Sequence, residues 1–127
     1  MEKTNLLYTT SHEWLAVDGD VVTVGITEFA VKSLTDLVFI DLPQVGRAAA
    51  AGESFGEIES VKAVSDLLAP VTGEIVGVND ALVDNLEILN SDPYDKGWMV
   101  RIKMTSPLPT GLLDFKTYQQ QCSEHGA

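Results

Sequence analysis

The sequence predicts a mainly β protein, a sandwich of short strands with small peripheral helices and a helix at its C-terminus. Three observations carry this prediction. Runs rich in β-branched and aromatic residues recur with turn signals between them, as in 13–27 and 98–104. Two strand-like runs, "ESFGEIESV" and "AVSDLLAPV", flank one lysine, Lys62. A Gly-Glu-x-x-Gly spacing occurs twice, from Gly52 to Gly56 and from Gly73 to Gly77. Glycines inside strand-forming sequence mark bulges or close backbone approach, and the repeat sets two similar strand corners on either side of Lys62.

Taken in order, "EWLAVDGDVVTVGIT" reads as a hairpin turning at Asp18-Gly19, because that pair tolerates positive φ. In 27–36 the period changes: Phe29, Ala30, Leu34 and Leu37 recur at helical spacing and Thr27 is placed to cap a short helix. "LVFIDLP" (37–43) reads as a buried strand ended by Pro43. The runs flanking Lys62 follow, then "GEIVGVN" as a further strand. "DALVDNLEILN" (80–90) fits a short helix, "SDPYDKG" a turn-rich loop and "WMVRIKM" an alternating strand. After two prolines, Leu112, Phe115 and Tyr118 share one face of a C-terminal helix that docks on the sheet. At 127 residues the chain has the length of one domain, 1–127, with a core over about 8–118 and a flexible tail over 119–127.

Composition narrows the function. The net charge of −11 repels phosphate backbones and anionic lipid surfaces, so neither nucleic acid nor membrane is an expected partner. No apolar run approaches the ~20 residues of a membrane span. The only cysteine, Cys122, reads as a passive residue of the C-terminal helix, and a single thiol fits a reducing compartment. The N-terminus lacks the pattern of a signal or transit peptide. A cytoplasmic location is therefore expected, ahead of a mature mitochondrial one.

Machinery for autonomous catalysis is not evident. There is no phosphate-cradling glycine loop and no convergent set of metal ligands. A Ser11–His12 pair is the nearest approach to a triad, but neighbours on a strand point to opposite faces. A small protein of this kind carries or binds something. Lys62 is the candidate handle: a hairpin tip holds its side chain outward, and strands on both sides fix one presentation of the amine. Val61 and Ala63 make a turn without glycine beside the lysine. Acylation would remove the charge and lengthen the side chain into a tether, able to visit several active sites at a high effective concentration.

The stretch "GEIESVKAVSDLLAPVTGEI" resembles the lipoyl-attachment segment of the glycine cleavage H-protein family. "YTTSHEWLAVDGDVVTVGITEFA", "LTDLVFIDLPQVG", "SDPYDKGWMVRIKM" and "LLDFKTY" resemble other parts of that family in the same order, over about 8–118. The resemblance implies a barrel-sandwich hybrid of lipoyl-domain type. It also implies lipoic acid amide-linked to Lys62, with Glu59, Ser60 and Val61 as the segment read on its N-terminal side. Ser11, Glu13 and Asp66 match positions thought to line the cleft where the loaded arm rests. The implied role is that of a non-catalytic carrier. It takes an aminomethyl group from glycine decarboxylase (the P protein) to the aminomethyltransferase (the T protein), and dihydrolipoyl dehydrogenase (the L protein) reoxidises it. A lipoate ligase or octanoyltransferase would attach the arm. An H-like relay of lipoyl or octanoyl groups to other lipoate-dependent enzymes would show the same motif. A biotin carrier ranks below both, since biotin segments read Met-Lys-Met and this one reads Val61-Lys62-Ala63. The chain departs from the family at Leu86, where proline is usual, which bears on a helix N-terminus and not on the lysine.

Overall fold

The computed structural model describes residues 3–34 and 36–124. Nine strands form two antiparallel sheets among the described residues. In chain order they are β1 (Leu7–Tyr8), β2 (Glu13–Asp18), β3 (Val21–Ile26), β4 (Leu37–Asp41), β5 (Ala48–Ala49), β6 (Ser54–Ser60), β7 (Val64–Leu68), β8 (Gly73–Val78) and β9 (Val100–Met104). The larger sheet runs β1-β2-β3-β9-β8-β5 and the smaller β4-β6-β7. Helices α1 (Glu28–Leu34), α2 (Ala81–Asp84), α3 (Glu87–Ser91) and α4 (Phe115–Glu124) lie around them.

Both sheets contribute to one apolar core. Leu15, Val24 and Ile102 from the larger sheet meet Ile40, Phe55, Ile58 and Leu67 from the smaller. A second cluster, aromatic, lies beside it and joins Tyr8 and Trp14 to Tyr94 and Tyr118. Its tightness is recorded at Gly25, where an added Cβ would stand 2.6 Å from the Trp14 ring.

The predicted elements are present, with local differences that have physical causes. The β2–β3 turn sits one residue later than expected, at Gly19-Asp20, because Asp18 pairs with Val21 and the positive φ falls on Gly19. Thr27 caps α1 as expected, its Oγ1 accepting the Ala30 amide at 3.3 Å. β4 is not the buried strand the sequence predicts: Ile40 alone is buried, and Val38 and Phe39 are 55% and 47% exposed. The smaller sheet has an outer face, and the irregular register between Leu37 and Phe39 interrupts the alternation there.

The repeated glycine spacing has a structural counterpart. Gly56 and Gly77 each sit at a register shift, one in β6 and the other in β8. At Gly56 a Cβ would fall 2.2 Å from the Asp41 carbonyl oxygen, so the backbone passes too close for any side chain. Segment 80–90 forms two short helices, α2 and α3, divided where Asn85 takes φ −148°. Leu86, at the start of α3, has φ −64°, the angle proline would impose.

The C-terminal helix differs from expectation at both ends. Leu112 precedes α4 and packs on the main core, while Phe115 and Tyr118 pack on the aromatic cluster. Asp114 starts the helix, its carboxylate accepting the Thr117 amide at 2.8 Å. Residues 119–124, expected as tail, are helical; 125–127 lie outside the described residues.

Candidate functional site

Lys62 occupies the tip of the β6–β7 hairpin and is exposed, as is Val61 beside it. Ser60, only 8% exposed, fixes the tip from within. Its amide donates to the Ala63 carbonyl at 2.8 Å, and its Oγ accepts the amides of Lys62 (3.3 Å) and Ala63 (3.1 Å). The Val61 amide is tied to the Asp36 carbonyl of the chain entering β4 at 3.1 Å. No residue of the tip has positive φ. The lysine therefore leaves a turn whose backbone is held on both sides. The holding role of Ser60 was not foreseen, although a serine two residues before a turn amide is a recognisable local cap.

Ser11 and Glu13 are brought together at the start of β2. Glu13 is 2% exposed, so it is not the surface acid that a plain reading of its charge would suggest. Its Oε1 accepts from Ser11 Oγ at 2.5 Å and from Thr9 Oγ1 at 2.8 Å. The Leu68 backbone amide, on β7, donates to the same carboxylate. Burial pushes the Glu13 carboxyl above the ordinary range, and the hydrogen bonds from Ser11, Thr9 and Leu68 oppose that shift without cancelling it. Thr9 and Leu68 were not singled out from the sequence. A threonine four residues before a buried acid gives a weak signal, and a strand amide gives none.

These groups line a cavity of about 230 Å³, with Thr9, Ser11 and Glu13 facing Gly52, Pro70 and Gly111. Lys62 and Asp66 do not line it. Asp66 is exposed on β7, directly opposite Glu57, which is itself opposite Asp41 on β4. Three carboxylates thus form a row across the outer face of the smaller sheet. The Val64–Leu68 strand joins the lysine tip to the Glu13 end of the site, Leu68 lying roughly 20 Å along the chain from Lys62.

His12 lies in a turn and not on a strand, so the strand argument that separated it from Ser11 does not apply; their contacts nevertheless diverge. His12 has φ 73°, a left-handed conformation uncommon outside glycine. Its Nδ1 is 2.7 Å from the Tyr118 hydroxyl, which is 2.6 Å from Thr27 Oγ1. Its ring rests 4.5 Å from that of Phe29. A single phenol thus ties the Ser11–Glu13 turn and the cap of α1 to α4. Cys122, half-buried, lines a groove with Tyr94 and Tyr118.

Two facing sheets with one lysine on a fixed hairpin tip make a barrel-sandwich of lipoyl-domain type. The glycine cleavage H-protein family model matches residues 6–125. The chain belongs to that family. It is 51% identical to the glycine cleavage system H protein of Rhodopirellula baltica over 129 aligned positions, covering 98% of each chain. With the H protein of Carboxydothermus hydrogenoformans the identity is 46%, over 96% of this chain and 95% of that one. The crystal structure of the H protein from Mycobacterium marinum superposes with a TM-score of 0.88 at 44% identity, covering 94% of this chain and 98% of that one. No helix among the described residues is long and apolar enough to cross a membrane.

Proposed function

We propose that this protein is a lipoyl carrier of the glycine cleavage system, with lipoate held as an amide on Lys62. The observation that carries the reading is an exposed amine on a hairpin tip whose backbone is locked by Ser60 and Asp36. The residues fit the group: the tip leaves Nζ open to an acylating enzyme, and the turn beneath needs no rearrangement to present it. When bound to Lys62, lipoate would supply a disulfide that can be reductively opened to take up a one-carbon aminomethyl unit at one sulfur and, once the unit is passed on, closed again by thiol–disulfide exchange, work that would fall to the P, T and L proteins respectively.

The chain's own contribution is presentation and shelter. Lys62 sets where the arm starts, and β7 sets the direction from the tip toward the Glu13 cavity. Ser11, Glu13 and Thr9 offer oxygen atoms at an open cleft in which Glu13 is buried and Ser11 is exposed, so an arm seated there would have to close it against water. An amine cargo arriving there as ammonium would favour the ionised form of Glu13, reversing the upward push that burial gives it. Excluding water would slow hydrolysis of the cargo. Asp66, exposed between the tip and the cavity, is a contact for the arm along that route.

Peptide mass spectrometry of the protein from cells with active lipoylation tests the attachment: the tryptic peptide containing Lys62 carries one lipoyl group. An unmodified Lys62 from such cells removes the reading. Fully lipoylated protein added to purified P protein then supports glycine decarboxylation. Failure there, with lipoylation complete, transfers the role to a relay of lipoyl or octanoyl groups.

A further inference from the structure

Backbone direction along β7 has a consequence beyond the lysine itself. The Ser60 amide donates to the Ala63 carbonyl and the Ala69 amide to the Glu53 carbonyl, both at 2.8 Å. The backbone groups of residues 63, 65, 67 and 69 therefore face β6, because direction alternates along a strand. Those of Val64, Asp66 and Leu68 face the other way, toward the outer edge of the smaller sheet. Leu68 bears this out independently, since its amide meets the Glu13 carboxylate of the other sheet. The opposite edge of the smaller sheet, β4, has helix α2 packed beside it. On β7 the amides and carbonyls of Val64 and Asp66 are thus left as a short open edge, ending at Glu13 and beginning beside Lys62. An edge of this kind is a template for another strand.

We propose that the enzyme that acylates Lys62 docks by laying an extended, basic segment of its own along the outer edge of β7, pairing with Val64 and Asp66. The proposal rests on the lipoyl-carrier reading. That enzyme must receive the bare Lys62 amine before any arm exists, so its contacts lie close to the tip. Val64 and Asp66 are two and four residues from Lys62, roughly 7 and 13 Å along the chain. Enzymes that act on the far end of a loaded arm have no such need. Charge selects the segment: Asp66 stands in line with Glu57 and Asp41, three directly opposed acids that repel one another. Lysine or arginine side chains on the incoming strand would relieve that repulsion. A second copy of this chain would add to it, given its net charge of −11.

The test uses the unmodified full chain with purified lipoate ligase, lipoate and ATP, followed by intact mass. In the reaction read out, Lys62 Nζ attacks the acyl carbon of the lipoyl-adenylate; the amide forms, AMP leaves with the bonding electrons, and the amine proton passes to solvent. Asp66→Pro removes the outward amide, at an edge position where proline is tolerated, whereas Asp66→Asn removes only the charge. Asp66→Pro should be acylated roughly 3- to 10-fold more slowly than Asp66→Asn, the effect of one backbone hydrogen bond. In the wild type, hydrogen exchange at the Val64 and Asp66 amides should slow when excess ligase is added without ATP. Equal rates for the two variants with unchanged exchange overturn the docking. If Asp66→Pro does not fold, the exchange measurement decides alone. A wild type that active ligase cannot acylate at Lys62 sinks the carrier reading and the docking with it, and intact mass tells that case apart.

Discussion

The Tyr118 hydroxyl is the most informative single group to remove. Tyr118→Phe keeps the ring, and so keeps its stack on Tyr8 at 4.7 Å, but deletes the contacts at 2.7 Å to His12 and 2.6 Å to Thr27. Thr27 is fully buried and Tyr118 nearly so, so no bulk water stands ready to replace the phenol. Two such bonds contribute together about 2 kcal/mol. For a chain of this length that corresponds to a fall in Tm of roughly 6–8 °C. Burial holds the Tyr118 phenol well above the ordinary tyrosine range, so the difference should persist from neutral into mildly alkaline buffer. Calorimetry on both proteins measures it. A double-mutant cycle with His12→Ala should show coupling of about 1 kcal/mol between the two positions. A variant melting within about 1 °C of wild type, or a cycle that is strictly additive, would refute the claim that this phenol fastens the turn.

Three further outcomes are expected. Because the folded-state pKa of Glu13 lies above its unfolded value, the group's contribution to stability is greatest below about pH 4.3 and is lost as pH rises through the folded value; in urea titrations Glu13→Gln should therefore gain on wild type between pH 4 and 7, and a gap that stays constant would contradict the burial argument. Glu57→Gln, at the centre of the acidic row, should raise stability by a few tenths of a kcal/mol at low salt, with the gain fading near 1 M NaCl, where the Debye length is about 3 Å. Leu86→Pro should fold and lie within about 1 kcal/mol of wild type, since φ already suits proline and reduced unfolded-state entropy offsets lost side-chain contact; a loss beyond about 2 kcal/mol in chemical denaturation would show that the Leu86 amide or side chain is needed.

The parts of the fold legible in the sequence were those fixed by local chemistry. Alternation placed β9, positive-φ tolerance placed the β2–β3 turn to within one residue, and Thr27 marked the start of α1. The glycine spacing marked two bulges, since a missing side chain at a register shift leaves its trace in composition. Exposure of β4 was not legible: "LVFIDLP" is apolar enough for burial on both faces, and only the partner strands decide that one face is left open. The same limit applied to the site. Lys62 stood out because its flanking strands are local to it. Glu13 looked like any surface acid, because its surroundings come from distant parts of the chain, among them Leu68 more than fifty residues on. Asp66 and Glu57 are direct cross-strand neighbours, a relation set by hairpin register.

The bond from Glu13 to Leu68 joins a residue of the six-stranded sheet to one of the three-stranded sheet. Position 13 therefore answers to two demands in the protein's descent. An aspartate there would preserve the charge yet fall one methylene short of the opposite strand, and a glutamine would preserve the reach yet surrender the charge. Each exchange would therefore give up one of the two, the reach or the charge.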